Sequence, residues 1–185
     1  MKRIFRYLVG TASHGLHYRR SSSVQEGSPL LVGFSDSDWG GDIQGRRSTS
    51  GCVCFIAGSP VSWSSRKQSV VALSTMEAEY IALASVAREM MSLRALLLEV
   101  GLQVSDALVF CDNSPALFLA SNPVVTPRSK HIDIRYHFLR DLCERQLLTL
   151  KWIPSAAQVA DILTKYLNRE LFLRCRDKLI QEQES

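Results

Sequence analysis

No stretch of the chain offers the ~20 consecutive apolar residues that a membrane-spanning helix requires. The longest helical run, near residues 90–98, is interrupted by Arg94. No C-x-x-C pair occurs among Cys52, Cys54, Cys111, Cys143 and Cys175, which removes the usual spacing of a zinc or dithiol site. Their odd number and their place in apolar runs suit free thiols that behave as small hydrophobes, and point to a reducing, intracellular compartment. The N-terminal MKRIFRYLVGTASHGLHY is basic but lacks the apolar centre of a secretory signal. Internal repeats and low-complexity tracts are absent. Histidine is scarce, and His131 and His137, six apart, share no helical face. Charge of one sign is in small excess: 22 Lys+Arg against 18 Asp+Glu leave +4, which suits a polyanionic partner without requiring one.

What is present is the profile of a soluble globular protein, with 46% hydrophobic and 22% charged residues over 185 positions. That length suits one domain with appendages and a core that needs no staples. Residues 4–9 read as a short amphipathic helix ending at Gly10, and the polar, Ser-, Gly- and Pro-containing stretch 19–29 as a linker. A compact domain then starts at Leu30. Apolar runs at 30–35, 52–57 and 60–64 predict strands, with a hairpin turn at Gly58 and Ser59. Cys52 and Cys54 fall on one side of their strand and are expected in the core.

Ser74-Thr75-Met76-Glu77 matches the capping box that opens a helix. Tyr80, Leu83, Ala84, Ala87, Met90, Met91, Leu97 and Leu98 follow as one apolar stripe, and Gly101 supplies the stop. Residues 107–111 predict a buried strand. Ser114-Pro115 opens a short helix with Ser as cap. Residues 131–145 read as a helix, 147–153 as a strand and 158–166 as a helix, with a last helix after Asn168. Antiparallel pairing early and strand–helix–strand units later imply an α/β fold: a mixed sheet with helices on both faces.

Four acidic residues stand where such a fold collects its sites. Asp36 and Asp112 end strands, Glu77 lies in the first turn of the long helix, and Asp161 starts the segment after the last strand. Four converging carboxylates repel one another unless hard cations such as Mg²⁺ or Mn²⁺ neutralise them. Two such ions, about 4 Å apart, can activate water and stabilise the leaving oxygen of a phosphodiester. Each residue also has a structural reading. Glu77 completes the capping box, Asp112 suits a turn, and Asp161 favours a helix N-terminus. Periodicity does not choose between Glu77 and Glu79, which flank the stripe on opposite sides. Asp36, Asp38 and Asp42 fit three places of a calcium loop. Gly40 and Arg47 occupy two further ligand places, and the flanks are strands, so that reading fails.

The runs GFSDSDWGGD, RRSTSGCVCF, VSWSSRKQSVVALSTMEAEYIAL, FCDNSPAL, NPVVTPRSKHIDIRYHF and VADILTKYL cover most of residues 30–167. In them the chain resembles the ribonuclease H domain of copia-type retrotransposon Pol polyproteins. The resemblance implies a ribonuclease H-like five-stranded mixed sheet of order 3-2-1-4-5. It implies that Asp36, Glu77, Asp112 and Asp161 hold two Mg²⁺ ions (or Mn²⁺) and cut the RNA strand of an RNA–DNA hybrid during reverse transcription. It divides the chain into residues 1–29, similar to the end of a reverse transcriptase and its connection, a nuclease domain at 30–167, and a helical tail at 168–185. A reverse transcriptase module of the parent polyprotein is the implied partner. Cellular ribonucleases H carry a His in a loop before the final Asp. Here WIPSAAQVAD has none, so proton transfer and product release have no assigned residue.

Nucleic-acid contacts are expected from Ser48, Thr49, Arg66, Lys67, Asn113, Lys130 and His131, with solvated charge or surface polarity as the plain alternative for each. Trp39 and Trp63 read as packing residues. The competing functional expectation is a catalytically silent, retrotransposon-derived fragment that binds nucleic acid or serves assembly, with residues 1–18 docking on the polymerase.

Overall fold

The computed structural model describes residues 2–18, 29–104, 107–121 and 130–182, without the side chains of 130–133 and 136. The expected linker therefore lies almost wholly outside the described residues. In chain order the elements are α1 (Lys2–Gly10), β1 (Leu31–Asp38), β2 (Thr49–Ile56), β3 (Ser59–Lys67), α2 (Thr75–Glu99), β4 (Ala107–Cys111), α3 (Ser114–Ser121), α4 (Lys130–Glu144), β5 (Leu148–Trp152), two 3₁₀ turns (Ser155–Ala157 and Val159–Leu163) and α5 (Arg169–Leu179).

β1 is central because both its edges are paired. It pairs antiparallel with β2, from Leu31↔Ile56 to Asp38↔Thr49, and parallel with β4, from Leu31↔Ala107 to Phe34↔Phe110. β3 extends the antiparallel side and β5 the parallel side, so the order is β3-β2-β1-β4-β5, as expected. Ala57 and Gly58 form the β2–β3 turn, both at positive φ (49° and 79°), the backbone that a two-residue hairpin loop demands. The turn lies one residue earlier than its Gly-Ser reading, and Ser59 already pairs with Ile56.

α2 lies across one face. Leu83, Val86, Ala87 and Met90 are buried there with Leu31, Cys54 and Val109. Each large apolar side chain so buried is worth ~1.5–3 kcal/mol. Gly33 permits the close approach: a Cβ on it would stand 3.0 Å from Val86 Cγ1 and 3.1 Å from Met90 Sδ. Gly101, at φ 83°, ends the helix, and the Leu102 N–H returns to the Leu97 carbonyl at 2.9 Å. α3 and α4 complete this layer through Ala116, Leu119, Leu139 and Leu142. The cap of α3 is Asn113, whose Oδ1 accepts from the Ala116 N–H at 2.9 Å, rather than Ser114.

The other face is covered by the second 3₁₀ turn and α5. Val53, Phe55, Val159 and Ala160 form its core, with Val32, Phe34, Leu163 and Leu179 packed on it. Where a helix is expected over 158–166 there is a single 3₁₀ turn, Val159–Leu163, preceded by another at Ser155–Ala157. Gln158 between them is extended and fully buried. Its amide donates to the Ser35 carbonyl at 2.8 Å and accepts from the Ala160 N–H, which pins the segment to β1 and interrupts any helix.

α5 is capped by Asn168 and meets the N-terminal segment. Tyr7 and Phe172 stack edge to face at 5.9 Å, and His14–Gly15 pairs antiparallel with Gln181–Glu182. α1 itself buries no residue, leaving Ile4, Phe5, Leu8 and Val9 exposed. Among the described residues no helix is long and apolar enough to cross a membrane.

Candidate metal centre

Two neighbouring parallel strands deliver the first two acids. β1 carries Asp36 and β4 runs into Asp112, each two residues beyond the Phe34↔Phe110 pair. Asp161 comes from the last 3₁₀ turn, which lies close against the sheet opposite Gly51, the cross-strand partner of Asp36. A Cβ at Gly51 would stand 2.7 Å from Thr164 Cγ2 and 2.9 Å from the Ala160 carbonyl oxygen, so only glycine leaves room for the turn that carries Asp161. Carboxylate oxygens of Asp36, Asp112 and Asp161 lie within 4.8 Å of one another. A second group, Glu79, Cys111 and Asp112, meets the same limit and shares Asp112 with the first.

Glu79, not Glu77, is therefore the helical acid that joins the cluster. Glu77 is occupied at the helix start: its N–H donates to Ser74 Oγ at 3.1 Å and its Oε2 accepts from the Leu73 N–H at 2.9 Å. This is the capping role that competed with the metal role for that residue. Glu79 lies two residues on, about 200° around the helix. It reaches β1, where its Oε1 accepts from the Ser37 N–H at 3.2 Å. The spacing alone held a usable signal, since an acid already engaged in a capping box is a poor ligand.

The electrostatics of the cluster are those of too many acids in too little water. Burial first, then repulsion from Asp36 and Asp112, pushes the Glu79 carboxyl up to about 8. Burial and repulsion from Asp36 push Asp161 up to about 6, against the pull of Lys165. Asp36, only 1% exposed, accepts a short hydrogen bond from Thr164 Oγ1 through Oδ2. Lys165 Nζ stands 2.9 Å from Asp161 Oδ1 and 3.5 Å from Asp36 Oδ1. Burial opposes that ammonium, but Asp36 and Asp161 outweigh it and raise its pKa above the ordinary lysine value. Ser155 Oγ donates to Asp112 Oδ2 at 2.6 Å and holds that carboxylate in place. Thr164 and Lys165 were missed in the sequence, although Asp161 and Lys165 have the four-residue spacing of an ion pair.

The expected nucleic-acid contacts separate by burial. Ser48 is fully buried and its Oγ accepts from the Gly40 N–H at 3.1 Å, so it braces the loop after β1. Thr49 is half-buried. Arg66 and Lys67 are exposed, with Lys67 paired to Asp42 at 2.9 Å. They line a groove of about 520 Å³ that Ser64, Gln68, Arg88 and Arg135 also border. Asn113 has its carbonyl oxygen committed to the α3 cap. Lys130 and His131 open α4, and their side chains lie outside the described residues. Trp39 and Trp63 are half-exposed (50% and 51%), so neither is the packing residue expected; Trp39 Nε1 donates to the Ala72 carbonyl and Trp63 borders the groove.

No protein-family model matches the chain. Relatives do. Over 180 residues, 97% of the chain, it is 38% identical to the retrovirus-related Pol polyprotein from transposon RE1 of Arabidopsis thaliana. Over 177 residues, 96% of the chain, it is 38% identical to that from transposon TNT 1-94 of Nicotiana tabacum. Among solved structures, the N-terminal RNase H domain of a Mycobacterium tuberculosis protein superposes with a TM-score of 0.52 at 16% identity, covering 81% of this chain and 98% of that one. LC11-RNase H1, from compost and solved with an RNA/DNA hybrid, gives 0.52 at 16% identity over 72% of this chain and 93% of its own. The chain is a homologue of retrotransposon Pol polyproteins and has the ribonuclease H fold. It spans 12 to 13% of the length of the Pol relatives named. The resemblance read in the motifs is thus the one that the comparisons find, and two of the clustered acids, Asp36 and Asp112, stand toward the carboxyl ends of adjacent central strands.

Proposed function

We propose that this chain is a metal-dependent ribonuclease H that hydrolyses the RNA strand of RNA–DNA hybrids formed during reverse transcription of a retrotransposon. The observation that carries the reading is the convergence of Asp36, Glu79, Asp112 and Asp161, with Glu79 raised to about 8 by burial and by repulsion from Asp36 and Asp112. An all-oxygen, acid-only donor set fits Mg²⁺ or Mn²⁺. When two divalent cations are bound there, the chemistry available is activation of a water and stabilisation of the leaving oxygen. Asp36 and Asp112 hold this charge from the two central strands, Asp161 from the covering turn, and Glu79 from the helix. The Ser37 N–H and Ser155 Oγ aim Glu79 and Asp112. In-line attack by water at phosphorus breaks the P–O3′ bond and leaves a 3′-hydroxyl and a 5′-phosphate.

The hybrid solved with LC11-RNase H1 supports a hybrid as ligand here too. Its minor groove offers 2′-hydroxyls and phosphates, and Arg66, with its cross-strand partner Ser50 on the same groove, is the rim residue suited to them. We further assign residues 30–167 as the nuclease unit, 1–29 as the connection from the polymerase, and 168–185 as a tail. The test is cleavage of a labelled hybrid by the purified chain with and without Mg²⁺ or Mn²⁺. Outer-shell residues of metal sites typically cost 10–100-fold on removal, so loss of a ligand in Asp36→Asn should cost roughly 100-fold or more. Folded protein that cuts nothing with either metal refutes the proposal. Hybrid binding without cutting would then mark the silent, nucleic-acid-binding fragment.

A further inference from the structure

We propose that Lys165 is a resident counter-cation of the acidic cluster, holding Asp36 and Asp161 in the metal-free chain and releasing them when a divalent cation binds. The inference rests on reading the cluster as a divalent-cation site. Its basis is geometric. Lys165 Nζ bridges Asp161 Oδ1 at 2.9 Å and Asp36 Oδ1 at 3.5 Å. These residues are two of the three whose oxygens lie within 4.8 Å of one another. Thr164, the preceding residue, donates to the other oxygen of Asp36. Two consecutive residues of one turn thus engage both oxygens of the most buried carboxylate in the cluster.

The ammonium is also placed to leave. The side chains of Asp36 and Asp161 are 1% and 8% exposed, whereas that of Lys165 is 38% exposed. Four flexible carbons link the ammonium to the backbone, so it can swing into water without moving the turn. A cation coordinated by Asp36 and Asp161 needs lone pairs that the ammonium now takes, and the two positive charges repel. Ammonium and metal then compete for the same oxygens. Observed metal affinity is the intrinsic affinity reduced by the fraction of chains in which the oxygens are free.

The consequence runs in opposite directions for two measurements. Lys165→Met should bind Mg²⁺ about 10-fold more tightly than wild type, within the ordinary range of coupling between linked equilibria. It should also melt at lower temperature in EDTA, with the deficit shrinking as Mg²⁺ saturates. Lys165→Arg keeps a charge and a planar fork suited to carboxylates, and should bind Mg²⁺ no more tightly than wild type.

Isothermal titration of the full chain with Mg²⁺ and with Mn²⁺, beside thermal melts of wild type, Lys165→Met and Lys165→Arg, decides the matter. A second reading comes from wild type alone: Mg²⁺ should shift the side-chain resonances of Lys165 toward those of a solvated lysine. If wild type binds Mg²⁺ but Lys165→Met binds it equally or more weakly, Lys165 supports the ligands and the proposal is overturned. If Lys165→Met does not fold, an unmoved Lys165 resonance on saturation overturns it instead. If wild type binds neither cation, the reading of the cluster as a cation site fails, and this inference fails with it.

Discussion

Replacing Glu79 and Glu77 by Gln, one at a time, tests the assignment of the helical acid, because the two changes should move stability and cleavage in opposite senses. Burial and the charges of Asp36 and Asp112 carry the Glu79 carboxyl from its ordinary 4.5 to about 8 in the metal-free fold. Between those values the folded chain holds a proton that the unfolded chain has lost. Stability is therefore fully present below pH 4.5, declines as pH rises, and has lost this contribution above about 8. At ~1.4 kcal/mol per pH unit the loss amounts to at most roughly 4–5 kcal/mol. Glu79→Gln has no proton to lose and still accepts from the Ser37 N–H. In EDTA it should be more stable than wild type by a few kcal/mol at pH 8 and above, and equal to it near pH 4.5.

Glu77→Gln keeps the acceptor for the Leu73 N–H and loses a charge at the helix N-terminus. It should be less stable at neutral pH by ~0.3–1 kcal/mol. Urea melts from pH 4 to 9, with EDTA and with Mg²⁺, measure both effects, and a hybrid-cleavage assay is run on the same samples. Mg²⁺ should stabilise wild type strongly at pH 8 and Glu79→Gln weakly, since binding stabilises only the chain that offers the ligand. Cleavage should vanish in Glu79→Gln and survive in Glu77→Gln. Parallel pH dependence of wild type and Glu79→Gln, or loss of cleavage in Glu77→Gln alone, would refute the argument.

Two further substitutions probe the turn that carries Asp161. Gly51→Ala places a methyl group 2.9 Å from the Ala160 carbonyl and 2.7 Å from Thr164 Cγ2. It should cost ~1–3 kcal/mol in denaturant melts and lower kcat for hybrid cleavage; wild-type stability and kcat in this variant would show that the turn has slack. Gln158→Ala leaves the Ser35 carbonyl and the Ala160 N–H without their partner in a buried site. A loss of ~2–3 kcal/mol with faster amide exchange over residues 155–165 is expected, and unchanged exchange would deny the anchoring role.

Legibility in the sequence followed how local the cause was. The β2–β3 hairpin, the Ser74 cap and the Gly101 stop each depend on a few neighbouring residues, and each was readable to within a residue or two. The order of the five strands is not a local property, and it came from resemblance in long motifs. The clustering of Asp36, Asp112 and Asp161 is legible because folds of this kind bring strand ends and the segment after the last strand together. The burial of Ser48 is not legible, because its polarity serves a buried N–H of Gly40, a partner eight residues away that no periodicity marks. Residues 158–166 carry a helical pattern but form a 3₁₀ turn because Gln158 finds its partner on β1, 123 residues earlier.

Glu77 and Glu79 show why a motif match and a geometry can diverge within three residues. Both are buried, at 9% and 6%, so burial does not separate them. What separates them is competition for hydrogen-bond donors. The first turn of α2 has unpaired N–H groups that must be met, and Glu77 stands three residues after Ser74, where a carboxylate meets them best. Glu79 has no such duty, and the helix turns it toward β1 and β4, where the Ser37 N–H and the Cys111 thiol donate to its two oxygens and its charge is left for a cation to meet. The helix start thus consumes one acid and exports the other. That division makes the acid with the raised pKa the one available to a cation, and the capping acid one whose loss the chain should feel in stability alone.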